Sequence, residues 1–151
     1  MKPVLLAAIT ALFPVAALAQ GTVAVHDAYA RSSNPQAGAA FMMIDNTGDT
    51  ACQLVAASAE GVAMVELHTH KEVDGVMQML KVEEGFEIPA GGSHALERGG
   101  DHVMLMGLTA PLQDGDVVDL TLDFGDCGTQ QLQVPVDNQR KPDAAGMHDH
   151  G

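Results

Sequence analysis

Aromatic side chains are scarce in this chain. They make up 3% of its 151 residues, with no Trp and a single Tyr. Proteins that bind single-stranded nucleic acid stack the bases on aromatic rings, so this composition argues against such a binder. It argues equally against an aromatic-lined groove for sugars.

Basic side chains are also few. The chain has 7 Lys and Arg against 20 Asp and Glu, a formal net charge of −13 at pH 7. Such a chain repels DNA, RNA and anionic membrane surfaces, so no nucleic-acid partner is expected. The acidity leaves only a generic bias toward cations and basic partner surfaces. Because 46% of the residues are apolar, the chain can bury the core of one ordinary domain.

Long apolar runs are missing, apart from one at the start of the chain. After the positive charge of Lys2, residues 4–18 are almost wholly apolar, and residues 17–19 form a small-x-small site. This arrangement predicts a cleaved secretory signal peptide over residues 1–19. The run is short for a membrane span and Pro14 interrupts it, so no stable membrane insertion is expected. A lipoprotein would need a Cys directly after the cleavage site, and none is there.

Removal of that peptide leaves 6 basic and 20 acidic residues, a net charge of −14. The mature protein is expected to be exported and periplasmic. We interpret residues 20–137 as one domain and residues 138–151 as a polar, flexible tail.

The domain consists of short apolar stretches separated by turn residues, and its 16 Gly fit many turns. This pattern predicts an all-β sandwich or barrel, with a last strand at residues 129–136. The best helical candidate is Ser58 to Met64, at most a turn or two.

Only two cysteines are present, Cys52 and Cys127. In an exported protein, an even pair is most simply a disulfide. Two buried free thiols are the alternative. The separation of the pair is unlike a CxxC redox or zinc motif.

What the chain does have is 9 Met and 7 His. Three short segments carry them two residues apart: His68 and His70, Met77 and Met79, and His102, Met104 and Met106. In a strand, residues two apart point to the same face. Each segment can therefore present its donors in one direction, and neighbouring strands could bring the donors together.

The donor types favour one metal. A thioether is a soft, neutral donor that suits Cu(I), whereas zinc prefers Cys, His or carboxylate and calcium prefers oxygen. A site of two His and two Met carries no charge, which favours a singly charged ion. The alternative for any single Met is core filling, which we expect for Met42, Met43 and Met64. His26 and His94 have no donor at a useful spacing and are not assigned.

The spacing of these donors resembles that of a known family. Ten residues separate His68 from Met79, twenty-two separate Met79 from His102, and Met104 completes a His-x-Met. With the stretches around them, at residues 65–68, 74–79, 87–92 and 99–108, these residues resemble the periplasmic copper chaperone family PCuAC (also DUF461) over residues 22–137. The chain departs from the family at Asp101, where an aromatic is common, and His70 lies outside the motif.

The resemblance implies a cupredoxin-like Greek-key β-sandwich with one exposed Cu(I) site, made by His68, Met79, His102 and Met104. It also implies copper delivery for the CuA centre of cytochrome c oxidase, and for CuB in some oxidases. The partners it implies are oxidase subunit II or a Sco-type copper/thiol protein.

The tail carries Met147, His148 and His150. It resembles extensions of some family members, in which extra imidazoles help to hold Cu(II). We therefore treat these three residues as auxiliary Cu(II) candidates.

Three other functions compete with copper delivery. A copper buffer without a dedicated client would use the same site chemistry. An electron-transfer cupredoxin needs a Cys thiolate near a His and a Met, but no His follows Cys127 until His148. An enzyme is not expected, since no GxSxG, HExxH, Cys-His dyad or phosphate loop is present.

Overall fold

The computed structural model describes residues 22–141, and these form an all-β structure. The strands are β1 (Val23–Asn34), β2 (Ala37–Asn46), β3 (Cys52–Leu54), β4 (Ala56–Ala59), β5 (Val62–Val73), β6 (Val76–Lys81), β7 (Phe86–Ile88), β8 (Ser93–Leu96), β9 (His102–Leu108), β10 (Val117–Asp123) and β11 (Thr129–Pro135). One 3₁₀ turn covers Gly125–Cys127. The all-β prediction is confirmed. No helix in residues 22–141 is long and apolar enough to cross a membrane.

The strands form a large sheet and two smaller ones. The large sheet has the order β1-β2-β9-β5-β6, and β8 also pairs with β2. The smaller sheets are β11-β10-β4 and β3-β7. Strand β9 lies between β2 and β5, which are distant from it in sequence. This topology makes β9, β5 and β6, the three strands that carry the His and Met segments, direct neighbours.

The core lies between the large sheet and the smaller ones. Strand β10 shows the pattern that builds it, because Val118, Leu120 and Leu122 are buried while Val117 and Asp119 are exposed. This period of two is typical of a strand with one face inward. The inward residues of all three sheets form a single buried cluster, so the fold is a two-layer β-sandwich.

The predicted short helix at Ser58–Met64 is wrong. Strand β4 ends at Ala59, the chain turns at Gly61, which has a φ of 75°, and β5 then begins. Ala59 pairs with Leu120 of β10, so pairing with a distant strand outweighs the weak local helical pattern. Met64 consequently lies on the outer face and is 53% exposed, contrary to the expected core role, whereas Met42 is buried as expected.

The structure joins Cys52 and Cys127 in a disulfide, with a Cα–Cα distance of 5.9 Å. Cys52 lies in β3, and Cys127 lies in the 3₁₀ turn that follows β10. The bond therefore links the two smaller sheets, and the alternative of two free thiols does not hold.

A bulge in β1 determines what faces outward near the site. His26 pairs with Met43, but the next register pair is Tyr29 with Phe41, so β1 has one extra residue. Asp27 lies in this bulge and has a φ of 55°. A one-residue shift exchanges the two faces of a strand, so the bulge places both His26 and Tyr29 on the outer face.

Strands β5 and β6 form a hairpin at the edge of the large sheet. Its two-residue turn consists of Asp74 and Gly75, both with positive φ, as a type I′ turn requires. All six residues of β6 are exposed. Within the described residues β6 pairs with β5 alone, so it is an edge strand.

Candidate metal site

The donors lie on the outer face of the large sheet. Leu67, Val103 and Leu105 point into the core and are at most 4% exposed. Because side chains alternate along a strand, their neighbours His68 and His102 point the other way. The strand pattern thus uses one face for packing and leaves the other for the candidate ligands.

The register brings these donors together. His68 pairs with His102 across β5 and β9, and their ring centres are 5.8 Å apart. His70 pairs with Met79 across β5 and β6, and its ring centre is 5.3 Å from that of His102. Met104 follows His102 on the same face of β9.

A small pocket of about 140 Å³ opens at this point. Its walls are Ser33, Ala39, Phe41, His70, Met79, Arg98, Gly99, His102 and Met104. Three of the four residues expected to form the core site line it, and His68 lies beside His102 without forming a wall. His70, which lies outside the family motif, is also a wall. The same-face rule for residues two apart was the sequence signal that pointed to it.

Among residues 22–141, no three side chains of His, Cys, Asp or Glu converge as a candidate metal cluster. The donors that do line the pocket are two imidazoles and two thioethers. This set matches the soft, uncharged ligand type inferred for Cu(I).

His102 is held in a form that can bind a metal. It is 3% exposed, and its Nδ1–H donates to the Gly100 carbonyl at 3.0 Å. This bond leaves Nε2 with its lone pair. Burial lowers the pKa of His102, against the opposing effect of the hydrogen bond with Gly100. A neutral imidazole whose second nitrogen donates to a carbonyl is typical of a metal-ligating histidine.

His68 also fits a ligand role. Its Nε2 is 2.7 Å from Oε2 of Glu66, and its Nδ1 is buried without a hydrogen-bond partner among the described residues. An imidazole oriented by a carboxylate, with the other nitrogen left over, is a recurrent feature of metal sites. The hydrogen bond from His68 lowers the pKa of Glu66, and the charge of Lys81 adds to this effect.

The two thioether donors differ in exposure, since Met104 is partly buried and Met79 is open to solvent. Met79 lies on the edge strand and is 46% exposed. Met77 lies further along the same face of β6, opposite Glu72. Met106 pairs with Met64 at the other end of the face. Met77 and Met106 therefore lie at the margins of the face, outside the pocket wall.

Asp101, the departure from the family pattern, connects the two histidine-bearing strands. Its Oδ1 accepts a hydrogen bond from Thr69 at 2.6 Å, and its Oδ2 is 2.8 Å from Nε2 of His94. The ring of His94 stacks on Phe86 with centres 5.3 Å apart. Thr69 stands between His68 and His70 in the sequence, so this carboxylate ties β5 to the start of β9.

We expect Asp101→Ala to weaken Cu(I) binding, because the residue directly before β9 loses its hydrogen bond with Thr69 of β5. Asp101 bonds to Thr69 and His94 rather than to a candidate ligand, so the loss should not exceed about 10–100-fold, which is the cost of removing a ligand's own hydrogen-bond partner. Asp101→Asn keeps one acceptor oxygen and should recover part of the loss. Competition titration with a Cu(I) chelator measures both. Asp119→Ala, at an exposed aspartate of β10, is the control, and unchanged affinity in Asp101→Ala would show that the tie does not position the site.

The remaining histidine of the outer face lies among carboxylates. His26 Nε2 is 2.8 Å from Oδ2 of Asp45, and its Nδ1 is 3.3 Å from Oδ2 of Asp27. The hydrogen bond with Asp27 and the charge of Asp45 raise the pKa of His26. This residue forms no wall of the pocket.

The chain leaves the sandwich beside the pocket. Oδ1 of Asn138 accepts from the Ser32 amide at 2.7 Å, which fixes the exit point. The Arg140 guanidinium then lies 4.3 Å from the centre of the Tyr29 ring. Tyr29 packs on Phe41, a wall of the pocket, with ring centres 5.3 Å apart. The tail candidates Met147, His148 and His150 lie outside the described residues.

Comparison with known proteins places the chain in a family. Residues 23–136 match the LpqE-like family, described as "Putative lipoprotein LpqE-like". The curated protein "Putative lipoprotein Lxx21020" of Leifsonia xyli subsp. xyli is 37% identical over 114 residues, which cover 76% of this chain and 69% of that protein.

Solved structures agree. Cu(I)-DR1885 from Deinococcus radiodurans is 32% identical with a TM-score of 0.59, covering 83% of this chain and 85% of that one. The apo form is 34% identical with a TM-score of 0.58, covering 79% and 80%. The apo PCuAC domain from PmoF1, at 22% identity and a TM-score of 0.63, covers 78% and 94% and shows likeness of fold alone. The chain therefore belongs to the LpqE-like family and has the cupredoxin-like β-sandwich of the PCuAC domains, which confirms the resemblance seen in its sequence.

Proposed function

We propose that the protein is a copper chaperone that binds Cu(I) through His68, Met79, His102 and Met104. The observation that carries the proposal is the register of β6, β5 and β9, which gathers imidazole and thioether donors around one small pocket. The structure of Cu(I)-DR1885, a relative at 32% identity, supports the choice of ion.

The geometry suits a carrier better than a permanent metal centre. Met79 is 46% exposed and its thioether is a weak neutral ligand. An incoming thiolate or imidazole can displace it first, and the remaining donors hold the ion during exchange. His102 stays fixed by its bond to Gly100. Copper therefore passes between ligand sets without being released as a bare ion.

For the client, we propose assembly of the CuA centre of cytochrome c oxidase, and of CuB where an oxidase requires it. Oxidase subunit II or a Sco-type copper/thiol protein would receive the copper. The PCuAC resemblance supports this proposal. The signal peptide inferred at residues 1–19 would bring the chaperone to the periplasm, where these acceptors are exposed. Such ligand exchange needs no catalytic base or nucleophile from the chaperone itself.

We also propose that Met147, His148 and His150 assist Cu(II) binding. The described chain reaches Lys141 next to Arg140, which lies on Tyr29 beside the pocket. Eight residues lead from Arg140 to His148, and an extended chain spans at most about 3.3–3.6 Å per residue. The tail is therefore long enough to return to the pocket beside which it begins.

An anaerobic Cu(I) titration with X-ray absorption tests the proposal. It compares the chain that starts at Gln20 with the same chain ending at Lys141. We expect one Cu(I) with two nitrogen and two sulfur ligands in both. Cu(II), followed by electron paramagnetic resonance, should bind more tightly to the longer chain.

Two results would decide against these assignments. A Cu(I) site without sulfur ligands would rule out the thioether donors and with them the proposed mechanism. Equal Cu(II) affinity of the two chains would remove the tail from the copper chemistry and leave the core site intact.

A further inference from the structure

Four of the six basic side chains of residues 22–141, namely Arg31, Lys81, Arg98 and Arg140, lie beside the copper pocket or its candidate ligands. The other two are Lys71 and Lys141. In a chain with 20 acidic residues, such a grouping is not expected from composition.

Three arginines lie along the β1 and β2 side of the pocket. Arg98 is a wall of the pocket, and its Nη1 donates to the Arg140 carbonyl at 3.3 Å. Arg140 covers the Tyr29 ring. Arg31 pairs in register with Ala39, another wall, and its guanidinium donates to the Asn138 carbonyl at 3.2 Å.

Lysines lie on the β5 and β6 side. Lys81 pairs in register with His68 and is half-exposed, with its Nζ 3.6 Å from Oε1 of Glu66. Lys71 follows His70 and is exposed. We name Arg31, Lys81, Arg98 and Arg140 the basic rim, because the three arginines lie beside the pocket and Lys81 lies opposite the candidate ligand His68.

The carboxylates closest to the pocket are already engaged. Glu66 is bonded to His68 and Lys81, and Asp101 is bonded to Thr69 and His94. Glu72 pairs with Met77 at the margin of the face, and Glu97 is exposed next to Arg98. Many others lie on the smaller sheets and their loops, as at Glu60, Asp119, Asp123 and Asp126. No wall of the pocket is acidic, and Asp27 and Asp45 on the same outer face contact His26, which forms no wall of the pocket.

We propose that the basic rim is a docking surface for an acidic surface around the metal site of the copper-accepting protein. This inference rests on the copper-transfer function proposed above. Charges are screened beyond about 10 Å at 0.1 M salt. A partner that approaches the exposed Met79 therefore meets the rim rather than the acidic far side. At the pocket the protein therefore favours acidic partner surfaces, whereas the net charge of the whole chain favours basic ones.

Transfer of Cu(I) to two matched peptides tests this surface. Both peptides carry the same Cys-x-x-Cys core for Cu(I); one is flanked by Glu residues and the other by the same number of Lys residues. Stopped-flow mixing with the Cu(I)-loaded protein gives the ratio of the two transfer rates. We expect about tenfold faster transfer to the acidic peptide near 0.1 M salt, within the range of electrostatic steering. The ratio should approach one near 1 M salt, where the screening length falls to about 3 Å.

Charge variants matched in net charge locate the effect. Arg98→Gln with Arg140→Gln lowers the net charge by two, as does Gln131→Glu with Gln133→Glu on the exposed side of β11. Only the first pair should lower the preference for the acidic peptide, by about the same tenfold. Use of a ratio cancels any change in copper affinity common to both peptides.

The outcomes separate this inference from the proposed function. A protein that binds no Cu(I) would overturn the function itself. A protein that binds Cu(I) but transfers it equally to both peptides, or faster to the basic one, would overturn the docking surface alone. A preference seen only in the chain that ends at Lys141 would show that the acidic tail, with Asp143 and Asp149, occupies the rim instead of a partner.

Discussion

The variant His102→Gln should bind Cu(I) at least about 100-fold more weakly than the natural chain, since even outer partners of a metal ligand cost about 10–100-fold. His102 lies nearest the centre of the candidate donors, because the ring centres of both His68 and His70 are within 5.8 Å of its own. Its burial and its bond to Gly100 also make it the best oriented. Met104→Leu should also weaken Cu(I) binding strongly. X-ray absorption should then show two nitrogen ligands and one sulfur ligand.

Matched controls separate ligand loss from damage to the fold. His26→Gln removes an imidazole from the same outer face, but at a position bonded to Asp45. Met64→Leu removes an exposed thioether outside the pocket wall. Both should keep natural Cu(I) affinity in a chelator competition. If His102→Gln keeps natural affinity and a natural circular dichroism spectrum, the core assignment is wrong.

Removal of the disulfide should have the largest effect on stability. Cys52 and Cys127 are 75 residues apart, and a cross-link over such a loop contributes about 4 kcal/mol in the chain-entropy model. For a domain of this size, that loss lowers the Tm by about 15 °C. Alanine is the replacement of choice at Cys52, which is 3% exposed, because a buried serine hydroxyl would need a partner.

The measurement is thermal and urea unfolding of the double variant Cys52→Ala with Cys127→Ala. The natural chain under reducing conditions should shift in the same direction and by a similar amount. Copper affinity of the folded variant should stay close to natural, because the bond links the smaller sheets and not the face with the pocket. A Tm within a few degrees of natural would show that packing alone holds β3 against the 3₁₀ turn.

The part of the site that follows from local sequence was predictable. A period of two is enough to place His68 with His70, and His102 with Met104, on common faces. The register between strands was not predictable in this way, because it depends on β9 entering between β2 and β5. The closeness of His70 to Met79 and His102 depends on that register, so the local sequence could not predict it.

Other features depend on contacts between residues far apart in the chain. The basic rim consists of residues 31, 81, 98 and 140. These positions are far apart in the sequence, so no local pattern predicts that they lie close together. The tie made by Asp101 needs Thr69 and His94 from two other strands. The mistaken helix at Ser58–Met64 has the same origin, since pairing with β10 decides the conformation there.

The edge hairpin has a consequence for how tightly copper is held. Met79 lies on the only strand of the donor set that is paired on one side alone within the described residues. Amide groups in such a strand open and exchange with solvent more readily than those of a central strand such as β9. Each opening of the hairpin withdraws one donor. The free energy of that opening therefore contributes to the barrier to metal dissociation. Substitutions in the turn at Asp74 and Gly75 would then tune copper retention without altering any ligand, and bound copper would slow hydrogen exchange along β6.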